Sequence, residues 1–153
     1  MIAKSHFKYF VIAILVIAFD QITKYFAYAG KLGGFLNSFR PVFGKLLMPN
    51  YNFAFSIPLP HIIAYIVYAA VLVGFIRWYF LNKKTTVESV GFYLVIGGAA
   101  SNIIDRVYLG FVRDFILAFW GNIFNFADVA IVAGITLIIY KSFYKSELAT
   151  VKK

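Results

Sequence analysis

The stretch GGAASNIIDRVYLGFVRDFILAFWGNIFNFAD, residues 97–128, holds three of the chain's four aspartates: Asp105, Asp114 and Asp128. Each stands in or beside strongly apolar sequence. A carboxylate near hydrocarbon is costly, so its presence there points to function. Two short patterns, SNxxDR and FNxAD, bracket a central RDF. Together they predict a membrane-embedded acid/base site, with the rest of the chain as the scaffold that assembles it.

Composition sets the setting. The chain has 153 residues, 62% of them hydrophobic, with a mean hydropathy of +0.81. Soluble domains lie nearer half apolar. The excess predicts an all-α integral membrane protein, one membrane domain over 1–153. There is no cysteine, which excludes disulfides, thiolate catalysis and cysteine-bound metal. Imidazole comes only from His6 and His61, each at a helix start, so neither a histidine metal site nor a Ser/His system is expected. No metal or cofactor is expected. The net charge of +9 gathers at the edges of apolar runs, as in membrane proteins. The expected surroundings are membrane lipid, with no nucleic-acid partner.

Four apolar runs, 7–28, 61–81, 89–108 and 123–140, approach the roughly 20 residues a membrane span needs. The start also resembles a signal peptide: Lys4 and Lys8, an apolar run, then Ala27-Tyr28-Ala29. However, the apolar run ends at Phe19, and a cut there would fall beyond Asp20 and Lys24. Signal peptides place the small-residue site close behind the apolar core, so 7–28 is read as a retained span. Two segments, 29–60 and 109–122, lie between spans. Gly30, Gly33, Gly34, Pro41, Gly44, Pro49, Pro58 and Pro60 punctuate the first, predicting a small extramembrane strand-and-turn element. In the second, Val112, Phe115, Ile116 and Phe119 recur at helical spacing with Trp120 beside them, predicting a short interfacial helix or a loop lying in the headgroup region.

Polar residues fall on single helix faces. Asp20, Thr23, Lys24 and Ala27 are spaced i, i+3, i+4, i+7. They read either as a structural pair, with Lys24 snorkelling to the headgroups, or as Asp20 bracing another span. Gly98, Ser101, Asn102 and Asp105 repeat the spacing, which lets helices approach and bond across the interface. Asn125 and Asp128 share a face at the start of the last span, where the helix dipole favours an anion. Asp114 points away from the apolar stripe around it, so it reads equally as a solvated surface group or as part of a site.

Positive charges number nine on the termini and the 82–88 loop side, against six on the other. The positive-inside rule then places both termini in the cytoplasm. All four aspartates fall at the opposite, extracytoplasmic boundary. Two carboxylates there suffice for peptide hydrolysis: an ionised one takes a proton from water, and a protonated one donates to the carbonyl and then the leaving nitrogen. An ordinary Asp has a pKa of about 3.9, so one must be held neutral by its neighbour and by poor solvation. An aspartate-lined proton or cation pathway is the alternative. It needs polar groups through the whole depth, and the runs IAILVIA, YAAVLVG and AGITLIIY are bare. A structural scaffold leaves the cost of Asp114 and Asp128 unexplained.

The chain resembles the bacterial lipoprotein signal peptidase (signal peptidase II) family along nearly its whole length. DQITK (20–24), GGAASNIIDR (97–106), GFVRDF (110–115) and FNFAD (124–128) are similar to the family's motifs, in the family's order. The resemblance implies an aspartyl endopeptidase of the cytoplasmic (inner) membrane. Its substrate would be a diacylglyceryl-modified prolipoprotein, cut just before the lipidated cysteine. It implies Asp114 and Asp128 as the catalytic pair. Asn50, Asn102, Asp105, Arg106 and Asn125 match positions that bind substrate or support the site. Asp20 and Lys24 match structural positions. One motif departs: where the family has Asn-x-Gly-Ala-Ala-Phe, this chain has Asn50-Tyr51-Asn52-Phe53-Ala54-Phe55. On this reading 30–60 and 109–122 clamp the substrate, and loss of Phe115 and Phe119 should impair turnover more than folding.

Overall fold

The computed structural model describes residues 2–29, 48–51, 61–82, 84–117 and 121–151. Among the described residues there are four helices: α1 (Ile2–Tyr28), α2 (His61–Leu81), α3 (Thr86–Leu109) and α4 (Phe126–Val151). Four short strands join them: β1 (Met48–Asn50), β2 (Val112–Asp114), β3 (Ile116–Leu117) and β4 (Ile123–Phe124). Phe7–Tyr28, Thr86–Leu109 and Phe126–Phe143 are each long and apolar enough to cross a membrane. α2 has 21 residues, about 30 Å at 1.5 Å per residue. Its large apolar side chains, Ile66, Val71, Phe80 and Leu81 among them, are exposed, as a lipid-facing surface requires.

Cap chemistry sets the helix ends. α3 starts at Thr86, three residues before the expected 89, because Thr85 and Glu88 form a capping box. The Thr85 N–H donates to Glu88 Oε2 at 2.7 Å, and the Glu88 N–H donates to Thr85 Oγ1 at 3.3 Å. At its far end Gly110 takes φ 80°, and its N–H donates to the Arg106 carbonyl at 3.1 Å. Glycine meets that left-handed position without strain. α4 starts at Phe126 and not at the expected 123, because Ile123–Phe124 pairs as strand.

Among the described residues of 109–122, strand at Val112–Asp114 and Ile116–Leu117 stands in place of the expected interfacial helix or loop. β2 pairs antiparallel with β1 (Met48↔Asp114, Asn50↔Val112), and β3 with β4 (Ile116↔Phe124, Leu117↔Ile123). Here the apolar stripe misleads, because the segment's backbone groups find partners across chain. The Arg113 N–H donates to Asp105 Oδ2 at 3.0 Å, and the Phe115 N–H to the Phe124 carbonyl at 3.1 Å. Phe115 is buried in a cluster with Ala27 and Ile116. Its removal therefore bears on folding as well as on turnover; Phe119 and Trp120 lie outside the described residues. So does the 30–60 segment, apart from 48–51.

The helices alternate in direction. Gly91 meets Gly134 and Gly98 meets Ala127, so α3 and α4 run antiparallel. Ala13 meets Gly97 while Asp20 meets Ser101, so α1 and α3 run parallel. α2 docks on α3 antiparallel: the Tyr79 ring stacks on Phe92 at 3.7 Å, and the Tyr68 hydroxyl donates to the Ala99 carbonyl at 3.4 Å. This up-down-up-down order brings the C-terminal ends of α1 and α3 to the N-terminal end of α4. The polar residues concentrate at that end.

Close backbone approach makes Gly98 irreplaceable, since a Cβ there would press into the Ala127 carbonyl oxygen and Ile131. Gly98→Val should destabilise by about 1–3 kcal/mol, the usual cost of overpacking. Gly74→Ala, with nothing within 4 Å, should be neutral or stabilising by about 0.5–1 kcal/mol. Thermal unfolding of both variants in one detergent measures the contrast.

Candidate active site

Lys24 is fully buried one turn after Asp20, on the face of α1 turned to α3. Its ammonium lies 2.6 Å from Asp20 Oδ2 and 3.1 Å from Asp105 Oδ2, and donates to Asn102 Oδ1 at 2.9 Å. It does not snorkel. Asp20 also accepts from Ser101 Oγ at 2.7 Å and from the Ala127 N–H at 2.8 Å. The second bond satisfies a free N–H in the first turn of α4, tying α1 to that helix. Asp105 carries the network on to β2. Arg113 Nη2 approaches Asp105 Oδ1 at 2.7 Å and donates to Gln21 Oε1 at 2.6 Å. Gln21 Nε2 donates to Asp105 Oδ1 at 2.9 Å.

Asp114 and Asp128 converge on Asn125. Asn125 is the N-cap of α4: its carbonyl accepts from the Val129 N–H at 3.3 Å, and its Oδ1 accepts from the Asp128 N–H at 3.0 Å. Asp128 Oδ2 accepts back from the Asn125 N–H at 3.2 Å. This reciprocal pair is a capping box of Asn and Asp. The Asn125 amide then donates outward, to Asp114 Oδ1 at 2.6 Å and Asn102 Oδ1 at 3.2 Å. Asn102 Nδ2 donates to Asp128 Oδ1 at 2.8 Å, and Asn50 Nδ2 to Asp114 Oδ2 at 2.9 Å. Both carboxylates are thus held by one residue.

The four aspartates divide by partner. Asp20 and Asp105 each contact a cation. Among the described residues, Asp114 and Asp128 receive only neutral amide donors. Asp114 is 2% exposed, whereas Asp128 keeps a partly exposed edge. Burial is the main cause that pushes the Asp114 carboxyl up to about 6, and the nearby Asp128 charge adds to it. The Asn50 and Asn125 donors and the Lys24 charge pull the other way. A group near 6 can hold or release a proton close to neutrality.

The structure brings Asn50, Asn102, Asp105, Asn125, Asp20 and Lys24 into this network. Arg106 sits differently. Its Nη1 donates to the Asn102 carbonyl at 3.4 Å, on the partly exposed side of α3, and the guanidinium that grips Asp105 is Arg113's. Sequence reasoning missed Arg113 and Gln21. Arg113 stands beside Asp114 in the RDF already singled out, and Gln21 precedes Ile22 one step from Asp20. Arg113 lies outside the helical faces, and Gln21, though three residues before Lys24, is one step off the Asp20, Thr23, Lys24, Ala27 series. Asn52 and Phe53, where the motif departs, lie outside the described residues.

Apolar helices with a carboxylate pair at one end of the bundle define an integral membrane protein with a candidate acid/base site. The signal peptidase (SPase) II family model matches residues 12–144. The lipoprotein signal peptidase of Haemophilus ducreyi is 32% identical over 94% of this chain and 95% of its own length. That of Francisella tularensis subsp. novicida is 32% identical over 90% and 92%. Two solved bacterial membrane enzymes are similar in structure, each 27% identical. One has a TM-score of 0.68 over 91% of this chain and 89% of its own, the other 0.63 over 88% and 91%. The chain belongs to the signal peptidase II family, a family of bacterial membrane peptidases.

The raised Asp114 pKa has a stability consequence with a definite sign. A carboxyl whose folded pKa lies above its unfolded 3.8 stabilises the fold in its protonated form below about pH 4. That contribution is lost as pH rises through about 6. At 1.36 kcal/mol per unit, the loss is on the order of 3 kcal/mol or less. Thermal melts of wild type and Asp114→Asn between pH 4 and 7.5 should show the wild type losing more stability over that interval. Parallel slopes would refute this.

Proposed function

We propose that this protein is an aspartyl endopeptidase that cleaves the signal peptide from diacylglyceryl-modified prolipoproteins, N-terminal to the lipidated cysteine. The observation that carries the reading is the joint grip of Asn125 on Asp114 and Asp128, the two aspartates that pair with no cation among the described residues. The family match and the names of the relatives support the substrate class. The site then lies on the extracytoplasmic side, with both termini in the cytoplasm. Its lipid-anchored substrate arrives by diffusing within the bilayer. The segments 29–60 and 109–122 flank the scissile bond.

The environments of the two acids support a division of roles. Asp128 sits in the first turn of α4, accepts a backbone N–H and keeps a partly exposed edge, which suits the ionised partner that draws a proton from water. Asp114, more deeply buried and pushed up to about 6, suits the protonated partner that donates to the scissile carbonyl oxygen. Water adds to the carbonyl carbon as Asp128 takes its proton. As the C–N bond of the tetrahedral species breaks, that proton passes from Asp128 to the leaving nitrogen, and a hydroxyl on the same carbon returns a proton to Asp114 as the carbonyl re-forms, which restores the pair. Asn50, Asn102 and Asn125 hold the pair in register. Lys24, Asp20, Asp105 and Arg113 support it from behind. The proton-pathway reading finds no support, because the acidic cluster occupies one end of the bundle.

Asp114→Asn and Asp128→Asn should each lower cleavage of a lipidated precursor at least a thousandfold, with the protein still folded and inserted. Normal turnover by either variant would refute the pair, and equal cleavage of unlipidated precursor would refute the substrate class. The pH profile tests the roles separately. If Asp114 must be protonated, kcat/KM falls on the alkaline side with an inflection near its value of about 6. The apparent value belongs to the coupled pair. A kcat/KM that rises through pH 6 and stays high to pH 9 would reverse the assignment.

A further inference from the structure

The face of α1 that meets the site does not end at Lys24. Gln21, Lys24 and Tyr28 are spaced i, i+3, i+7 and line one stripe. Gln21 and Lys24 are fully engaged with Ser101, Asn102, Asp105 and Arg113. Tyr28, the last residue of α1, is not. Its hydroxyl is buried and meets no hydrogen-bond partner among the described residues. Buried polar atoms are almost always bonded, so an unmet one calls for an explanation.

The ring around that hydroxyl is fixed. It stacks on Phe111 at 6.4 Å with an interplanar angle of 28°, and packs against the cluster formed by Ala27, Phe115 and Ile116. Phe111 in turn meets Tyr51 at 5.4 Å, so the ends of α1 and β1 share one aromatic rim beside β2. Phe111 lies just ahead of β2, which ends at Asp114, so the ring sits at the end of the bundle that holds the acid pair. The phenol thus presents an unused donor at the end of the bundle that carries the acid pair. Main-chain carbonyls are the acceptor that every peptide substrate offers, whatever its sequence.

We propose that Tyr28 is a substrate-positioning residue, whose hydroxyl donates a hydrogen bond to a main-chain carbonyl of the peptide held against Asp114. The inference rests on the peptidase reading above and adds to it a binding group that acts before chemistry. Because the bond forms only with substrate, removing the hydroxyl should cost binding without costing folding.

Tyr28→Phe keeps the ring contacts and deletes only the oxygen. Full-length wild type, Tyr28→Phe and Asp114→Asn are assayed together on a lipidated precursor, with thermal melts of each. Tyr28→Phe should lower kcat/KM about three- to tenfold, the size of one neutral hydrogen bond, mostly through KM. Its melting temperature should stay level or rise, since no intramolecular bond is lost. An unchanged kcat/KM overturns the proposal, as does a loss matched by a lower melting temperature. An inactive wild type, or an active Asp114→Asn, overturns the peptidase reading itself and the inference with it.

Discussion

The buried ammonium of Lys24 is the contact on which the remaining structure depends. It sits between Asp20 and Asp105 with no exposed surface on any of the three side chains beyond 1%. Taking such charges out of water carries a desolvation cost of several kcal/mol each, which their attraction offsets only in good geometry. Such clusters are therefore poor sources of net stability but strong determinants of register. A slip of α1 by one residue against α3 would leave an uncompensated charge in the bilayer. The helices are otherwise apolar and lipid is as apolar as their side chains, so hydrophobic burial alone cannot select that register. The ion cluster can, and it does so at the level of the site.

From that cluster the constraint travels outward through hydrogen bonds with no gap. Asp20 reaches the first turn of α4, and Asp105 reaches Arg113 and so fixes β2. Asn102 accepts from Lys24 and donates to Asp128. The two charged carboxylates that build the frame are neutralised by it. Among the described residues, the two that face the proposed chemistry receive only amides, so their protonation is left adjustable. The same residue type is used in opposite ways, and the nearest cation decides which.

Much of this was legible in the sequence, and the reason is periodicity. Runs of apolar residues near span length and polar residues at i, i+3, i+4 report helices and their inner faces directly. The Thr85–Glu88 and Asn125–Asp128 boxes also follow a local rule, and reading them would have corrected the starts of α3 and α4. What local rules do not reach is pairing across the chain. The stripe Val112, Phe115, Ile116 has helical spacing, yet β2 and β3 find their partners in β1 and β4, and Asp105 takes the Arg113 N–H. Arg106 lies in the same motif as Asp105, but the strand's turn delivers Arg113 to that carboxylate instead. Gln21 joins the site through Ser101, Asp105 and Arg113, residues whose proximity no spacing within α1 announces.

The identity of residue 125 shows how closely fold and proposed chemistry are joined. An N-cap needs a side-chain acceptor for an N–H of the first turn, and Asp, Ser or Thr would serve as well as Asn. Asn125 spends its oxygen on that cap and both amide hydrogens elsewhere, on Asp114 and Asn102. An Asp would cap equally and then face Asp114 acceptor to acceptor, adding a like charge. A Ser would cap but lacks the length and the second donor. Only a side chain that accepts on one atom and donates twice on the other can start α4 and hold Asp114 at once. Because Asp128 is placed by the same cap, the relation between the two acids is set by one residue. Asn50 and Asn102 then hold the outer oxygens of the pair, so the elements packed around the cap brace a relation that the cap itself defines.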